Sequence, residues 1–152
     1  MQTSSNSVPT LSPISHPVLL YDGVCGLCNR MNQFVLAHDR DDRFRFASLQ
    51  SSFAAQVLGR HGKDPHDLDT VYAVVDCGGP GERLLARSDA VVFVLQQLGG
   101  IWSLYAALLR CLPRNLRNWG YDRVAQNRYR LFGRYDTCPL PSDATRAKFL
   151  DV

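Results

Sequence analysis

No run in this chain is apolar for long enough to cross a bilayer. The longest, Ile101 to Leu109, falls well short of the roughly 20 residues a spanning helix needs. The N-terminus, Met1-Gln2-Thr3-Ser4-Ser5-Asn6, lacks the basic and apolar regions of a secretory leader. A cytoplasmic location is therefore the default expectation. Neither sign of charge dominates. Charged residues are 20% of the 152 and the net charge is +3, so composition demands no nucleic-acid partner. A glycine-rich phosphate loop is missing too, because Cys77-Gly78-Gly79-Pro80-Gly81 lacks the lysine and following helix that such a loop needs. No second Cys-x-x-Cys exists, which argues against a zinc ribbon. There is no internal repeat.

What remains fits one domain. Apolar residues make up 45% of the chain, enough for a proper core. Residues 1–16, rich in Ser, Thr, Pro and Asn, read as a disordered tail. Pro17 to Tyr21 is a short apolar run ended by the turn signal Asp22-Gly23, and reads as a buried strand. Cys28, Met31, Phe34, Val35 and His38 then recur at helical spacing. Arg43 to Ala47 alternates as a half-buried strand does, and Leu49 to Leu58 reads as a helix. Thr70 to Val75 is β-branched and aromatic, the mark of a strand. The turn at 77–81 and the return at 82–86 predict a hairpin. Ser88 is expected to cap a helix over 89–98, stopped by Gly99-Gly100. Two more helices are expected, Trp102 to Cys111 and Asn115 to Phe132, the latter with Leu116, Trp119, Val124 and Leu131 near one stripe. Trp102 and Trp119 are expected to bury these helices against the sheet. The final residues, 139–152, with two prolines nearby, read as irregular.

The order is β-α-β-α-β-β-α followed by two helices. A parallel pair with a crossover helix and then an antiparallel hairpin is the thioredoxin layout. The expected fold class is thus α/β, a thioredoxin-like three-layer sandwich with a central mixed sheet and a helical C-terminal extension, the domain spanning 17–138.

The chemistry concentrates at Cys25-Gly26-Leu27-Cys28, between the first strand and the first helix. Thiols at this spacing can close a disulfide across one helical turn or hold two corners of a metal site. A helix N-terminus stabilises a thiolate, the reactive form of cysteine. In a reducing cytosol such a pair reads as catalytic, redox-sensing or metal-binding rather than as a structural staple. The bland alternative is that both are inert small apolar residues. Asp22, three residues before Cys25, is either a turn residue bonding nearby backbone N–H groups or a base for Cys28.

The segment Tyr21-Asp22-Gly23-Val24-Cys25-Gly26-Leu27-Cys28 resembles the Asp-x-x-Cys-x-x-Cys signature of the DCC family of thiol–disulfide oxidoreductase-like proteins. Phe44-Arg45-Phe46-Ala47, Arg87-Ser88-Asp89-Ala90, Leu112-Pro113-Arg114 and the run Asn127 to Arg134 resemble the same family, and the likeness extends from about Pro17 to about Cys138. The resemblance implies a thioredoxin-like fold and a dithiol activity without a cofactor. Cys25, nearer the helix start and solvent, is the expected attacking thiolate, and Cys28, one turn further in, the expected resolving thiol. The partners implied are a disulfide-containing substrate, protein or small molecule, and a reducing thiol system.

Two departures from thioredoxin proper stand out. The intervening dipeptide is Gly-Leu rather than Gly-Pro. The strand at Val71 follows Leu68-Asp69-Thr70, with no proline where thioredoxins carry one facing the active site. The second departure favours a narrow or non-peptide substrate over general protein-disulfide reduction.

The competing reading is a non-enzymatic module that binds metal or a partner. Beyond Cys25 and Cys28, its candidate metal ligands are His38, His61, His66 and Cys138, none at a motif spacing. Cys138 is read either as a packed residue at a chain reversal or as a third thiol near the pair. Cys111, in an apolar helix, is expected in the core, and Cys77, in a glycine-rich turn, on the surface. From Arg110 to Lys148 nine basic residues face three acidic ones, leaving that segment +6 and the remainder −3. A solvated face explains this, as does a surface for membrane headgroups or an acidic partner.

Overall fold

The computed structural model describes residues 16–64, 70–134 and 146–150. The expected N-terminal tail, except His16, lies outside the described residues, as do His66 and Cys138. The elements run β1 (Val18–Tyr21), α1 (Gly26–His38), β2 (Arg45–Ser48), α2 (Ser52–Arg60), β3 (Tyr72–Val75), β4 (Arg83–Ala86), α3 (Ser88–Leu98), α4 (Ile101–Arg110), α5 (Arg114–Phe132), a 3-10 turn (Arg146–Lys148) and β5 (Phe149–Leu150). One sheet forms in the order β4-β3-β1-β2-β5. β1 runs parallel to β2 and antiparallel to β3, and β3 pairs antiparallel with β4. This mixed α/β sheet is the thioredoxin-like arrangement.

β1 is central, and all four of its residues are buried. Both faces of the sheet are covered, which is why this strand reads as a continuous apolar run. Successive side chains point to opposite faces. Val18 and Leu20 meet Phe53, Ala54, Val57 and Leu58 of α2. Leu19 and Tyr21 share the other core with Cys25, Cys28 and Val35 at α1, and with Ala90 and Val94 of α3. The layers are α2, sheet, and α1 with α3, with α4 packed on α3 and α5 on α1 and α3. Among the described residues no helix is long and apolar enough to cross a membrane.

Several local expectations are corrected. Ser88 is the first helical residue of α3 and not its cap. Arg87 takes the cap position at φ 55° without a side-chain capping bond, and the Ser88 hydroxyl donates to Asn118 Oδ1 at 2.5 Å. The C-terminal stretch is not wholly irregular, since β5 adds a parallel edge strand to β2. Phe149 stacks on Phe46 with centroids 5.0 Å apart, and Lys148 pairs with Asp42 at 3.0 Å. Leu116, Trp119, Val124 and Leu131 are exposed, Trp119 to 58%, so this stripe of α5 faces outward. Trp102 packs against Phe34 and His38 of α1 rather than against the sheet.

The readings of Cys77 and Cys111 are inverted. Cys77 is buried and Cys111 exposed. The hairpin turn folds back on the end of α2, where Glu82 accepts hydrogen bonds from Arg60 Nη2 (2.5 Å) and Gly78 N (3.0 Å) and lies 2.9 Å from His61 Nε2. That contact seals Cys77 beneath it, and burial pushes its thiol upward. Cys111 follows α4, whose residues Ile101, Leu104, Tyr105 and Leu108 face solvent at i, i+3, i+4 and i+7.

Candidate active site

The end of β1 delivers the chain into a turn that positions Cys25 as the N-cap of α1, in extended conformation at φ −81° and ψ 124°. Cys25 N donates to Asp22 O at 3.2 Å, and Asn29 Nδ2 ties down Gly23 O (3.0 Å) and Cys25 O (2.9 Å). The Cys25 sulfur accepts the Cys28 backbone N–H at 3.4 Å, as a capping oxygen would. The helix thus starts at Gly26, with Cys25 at its N-terminus.

The two thiols titrate in opposite directions. Cys25 is lowered to about 6, first because the Cys28 thiol donates to its sulfur, against burial, with help from the N–H groups of Cys28 and Leu27 and from Arg128. Cys28 is pushed far up, first by that same hydrogen bond, which needs its proton, then by burial and by the charges of Cys25 and Asp22. The pair therefore shares one proton, held by Cys28.

The expectation that Cys25 is the more solvent-exposed thiol is not met. Cys25 has 0% exposure and Cys28 5%. The end of α5 covers Cys25. Gly133, at φ 82°, ends that helix and turns the chain over the dithiol, where Gly133 O accepts Gly26 N at 3.1 Å and Arg134 bridges Cys25. This approach explains the glycine after Cys25. A Cβ on Gly26 would lie 2.1 Å from the Phe132 carbonyl oxygen.

Asp22 is fully buried behind the pair. Its Oδ1 accepts Gln50 Nε2 (2.8 Å) and Val24 N (3.2 Å), the latter being the turn bond foreseen for it. Its Oδ2 accepts the Tyr129 hydroxyl and Arg128 Nη2 (3.4 Å), so an ion pair is buried between β1 and α5. Burial and then the bond to Asp22 raise Tyr129. Arg128 also donates from Nη1 to Ala125 O at 2.8 Å. Gln50, Arg128 and Tyr129 escaped the reading of individual residues. The one available signal was the run Asn127 to Arg134, in which both α5 residues fall.

Of the candidate metal ligands beyond the dithiol, only His38 and His61 lie among the described residues, and each has another partner. His38 Nδ1 lies 2.7 Å from Phe34 O, and His61 is engaged by Glu82. Among the described residues no group of three or more His, Cys, Asp or Glu side chains is gathered to hold a metal ion.

Residues 19–134 match the DCC1-like thiol-disulfide oxidoreductase family. The chain is 37% identical over 124 residues to the DCC family protein At1g52590, chloroplastic, of Arabidopsis thaliana, covering 82% of this chain and 69% of that protein. It is 34% identical over 141 residues to the uncharacterized protein YuxK of Bacillus subtilis (strain 168), covering 93% and 98%. No solved structure matches the chain. With most of its length matched, and with the dithiol, its helix cap and the covering end of α5 all inside the matched span, the chain belongs to the DCC1-like thiol-disulfide oxidoreductase family.

Proposed function

We propose that Cys25 and Cys28 form a reversible dithiol–disulfide couple that reduces a disulfide substrate. The observation that carries the reading is the Cys25 sulfur at the N-cap of α1, where it accepts the Cys28 backbone N–H at 3.4 Å, an arrangement in which the Cys25 thiol is lowered to about 6 and Cys28 keeps its proton. Cys25 attacks one sulfur of the substrate, the substrate S–S bond breaks, and a mixed disulfide forms as the first thiol leaves. Cys28 then attacks the Cys25 sulfur and passes its proton to the second leaving thiol, so the protein holds the new disulfide. Two thiols of a reducing system reset the site. In this reading the chemistry belongs to the cytoplasm, where such thiols are abundant.

Asp22 acts as a positioning residue. Its charge beside Cys28 favours the protonated thiol that donates to Cys25, and its carboxylate locks α5 behind the pair. The outward stripe of α4, with Arg110 and Arg114 beside it, fits an anionic membrane surface. Co-sedimentation with vesicles containing anionic lipid, and none with neutral ones, is expected.

Turnover tests the central reading. Reduction of hydroxyethyl disulfide by glutathione is expected with the unaltered protein and lost in Cys25→Ser. Equal rates in the two proteins would overturn it.

A further inference from the structure

An apolar cavity of about 470 Å³ opens beside the dithiol, and Cys28 is part of its wall. α1 contributes Leu27 and Met31, α3 contributes Val91 and Val92, and α5 contributes Leu116 and Val124. Leu112, Leu116 and Val124 are exposed, so the mouth is apolar as well as the interior. The volume is in the range of small-molecule sites, about 300–1,000 Å³.

Most polar groups of the wall are already engaged, although the buried Arg117 Nε has no hydrogen-bond partner. The Ser88 hydroxyl donates to Asn118, and Arg117 Nη1 pairs with Asp89 at 3.5 Å. The Tyr121 hydroxyl accepts Val71 N at 2.8 Å, and Arg128 pairs with Asp22. A ligand entering here meets hydrocarbon on most sides. A peptide would lose the hydration of its backbone amides without recovering hydrogen bonds. Access to Cys25 from the opposite side is closed by Gly133 and Arg134, so the pair presents Cys28 to the cavity and no sulfur to a flat protein surface.

We infer that this cavity selects the substrate of the dithiol, and that the substrate is a small apolar organic disulfide. The inference rests on the dithiol reading above. The ligand's S–S bond lies at the inner end, against the sulfur pair, with its hydrocarbon groups in the cavity. Cys25 does not line the cavity, so the Cys28 side chain must turn aside before the Cys25 thiolate attacks that bond and expels one thiolate, which takes a proton from water. Cys28 then attacks Cys25, and its proton leaves with the second thiol. One organic disulfide is reduced by two electrons to two thiols while the protein dithiol becomes a disulfide.

Gly120 of α5 lines the cavity, and a Cβ there would meet nothing within 4 Å. Gly120→Leu fills the space without touching the dithiol, and Gly120→Ala fills little of it. The test follows oxidation of the reduced protein by dibutyl disulfide, which is apolar, and by hydroxyethyl disulfide, which is small and polar. The unaltered protein is expected to saturate with dibutyl disulfide and to respond linearly to hydroxyethyl disulfide. In Gly120→Leu the dibutyl rate is expected to fall at least tenfold and to lose saturation, the smaller hydroxyethyl disulfide losing several-fold less, with the Cys25–Cys28 midpoint potential unchanged. Gly120→Ala should lower the dibutyl rate less than Gly120→Leu does. Equal effects on the two substrates, or no saturation in the unaltered protein, overturn the cavity assignment while leaving the dithiol couple standing. Failure of both disulfides to generate a Cys25–Cys28 bond would instead remove the dithiol reading itself.

Discussion

Removing the Cys28 thiol should raise the Cys25 titration midpoint by at least one unit. The largest influence lowering Cys25 from 9.0 to about 6 is the hydrogen bond from the Cys28 thiol. Cys28→Ala deletes that donor and leaves the backbone N–H groups and Arg128 in place, with burial now less opposed. The expected midpoint therefore lies above 7 and below the ordinary value. At pH 7 a thiol near 6 is about nine-tenths ionised, and one at 9 about one-hundredth. Reactivity at a single pH would hide much of this difference. Each unit of added basicity makes the remaining thiolate roughly threefold more nucleophilic. The right readout is the pH midpoint of iodoacetamide alkylation, followed on the Cys25 peptide by mass spectrometry so that Cys77 and Cys111 do not contribute. A midpoint still near 6 in Cys28→Ala would refute the argument and leave the helix N-terminus and Arg128 as its cause.

Linkage predicts the pH dependence of stability. Native Cys25 releases its proton near 6, whereas the unfolded thiol holds it to about 8.5. The unfolded state binds more protons in that window, so reduced protein should gain stability as pH rises through it and lose it as pH falls through 6. Urea unfolding at pH 5.5 and 8 should show the gain, and Cys25→Ser should lack it. Asp22→Asn leaves the Arg128 guanidinium buried without its counter-charge, an expected loss of about 3–5 kcal/mol by urea unfolding. A loss under 1 kcal/mol would leave Asp22 only its turn bond to Val24. Gly26→Ala drives a methyl into the Phe132 carbonyl, so the end of α5 must shift. Faster alkylation of Cys25 and a destabilisation of about 1–3 kcal/mol are expected, and an unchanged protein on both counts would show that α5 does not cover the thiol.

Much of this fold is legible because its signals are local. β1 announces itself as an apolar run and β3 by its β-branched residues, and the dithiol lies between a strand and a helix that can each be read from periodicity. The misreadings come from contacts that span the chain. Cys77 looks like a surface turn residue until Glu82 closes onto Arg60 and His61. Cys111 and the apolar residues of α4 look like core because a helix face turned to solvent has the same period as one turned inward. Arg128 and Tyr129 lie more than a hundred residues from Asp22, so no spacing rule joins them. β5 is two residues long, too short for any periodicity, and is fixed by the stacking of Phe149 on Phe46. The exposure of Cys25 is misjudged for the same reason, since the covering backbone arrives from the far end of α5.

The most direct measurement is a redox titration in glutathione buffers, with thiols trapped by alkylation and paired cysteines identified by peptide mass spectrometry. The account predicts a reversible Cys25–Cys28 disulfide with a single two-electron midpoint. Cys25 recovered only as a glutathione adduct, unpaired under oxidising buffer, or joined to Cys138 instead of Cys28 would contradict it.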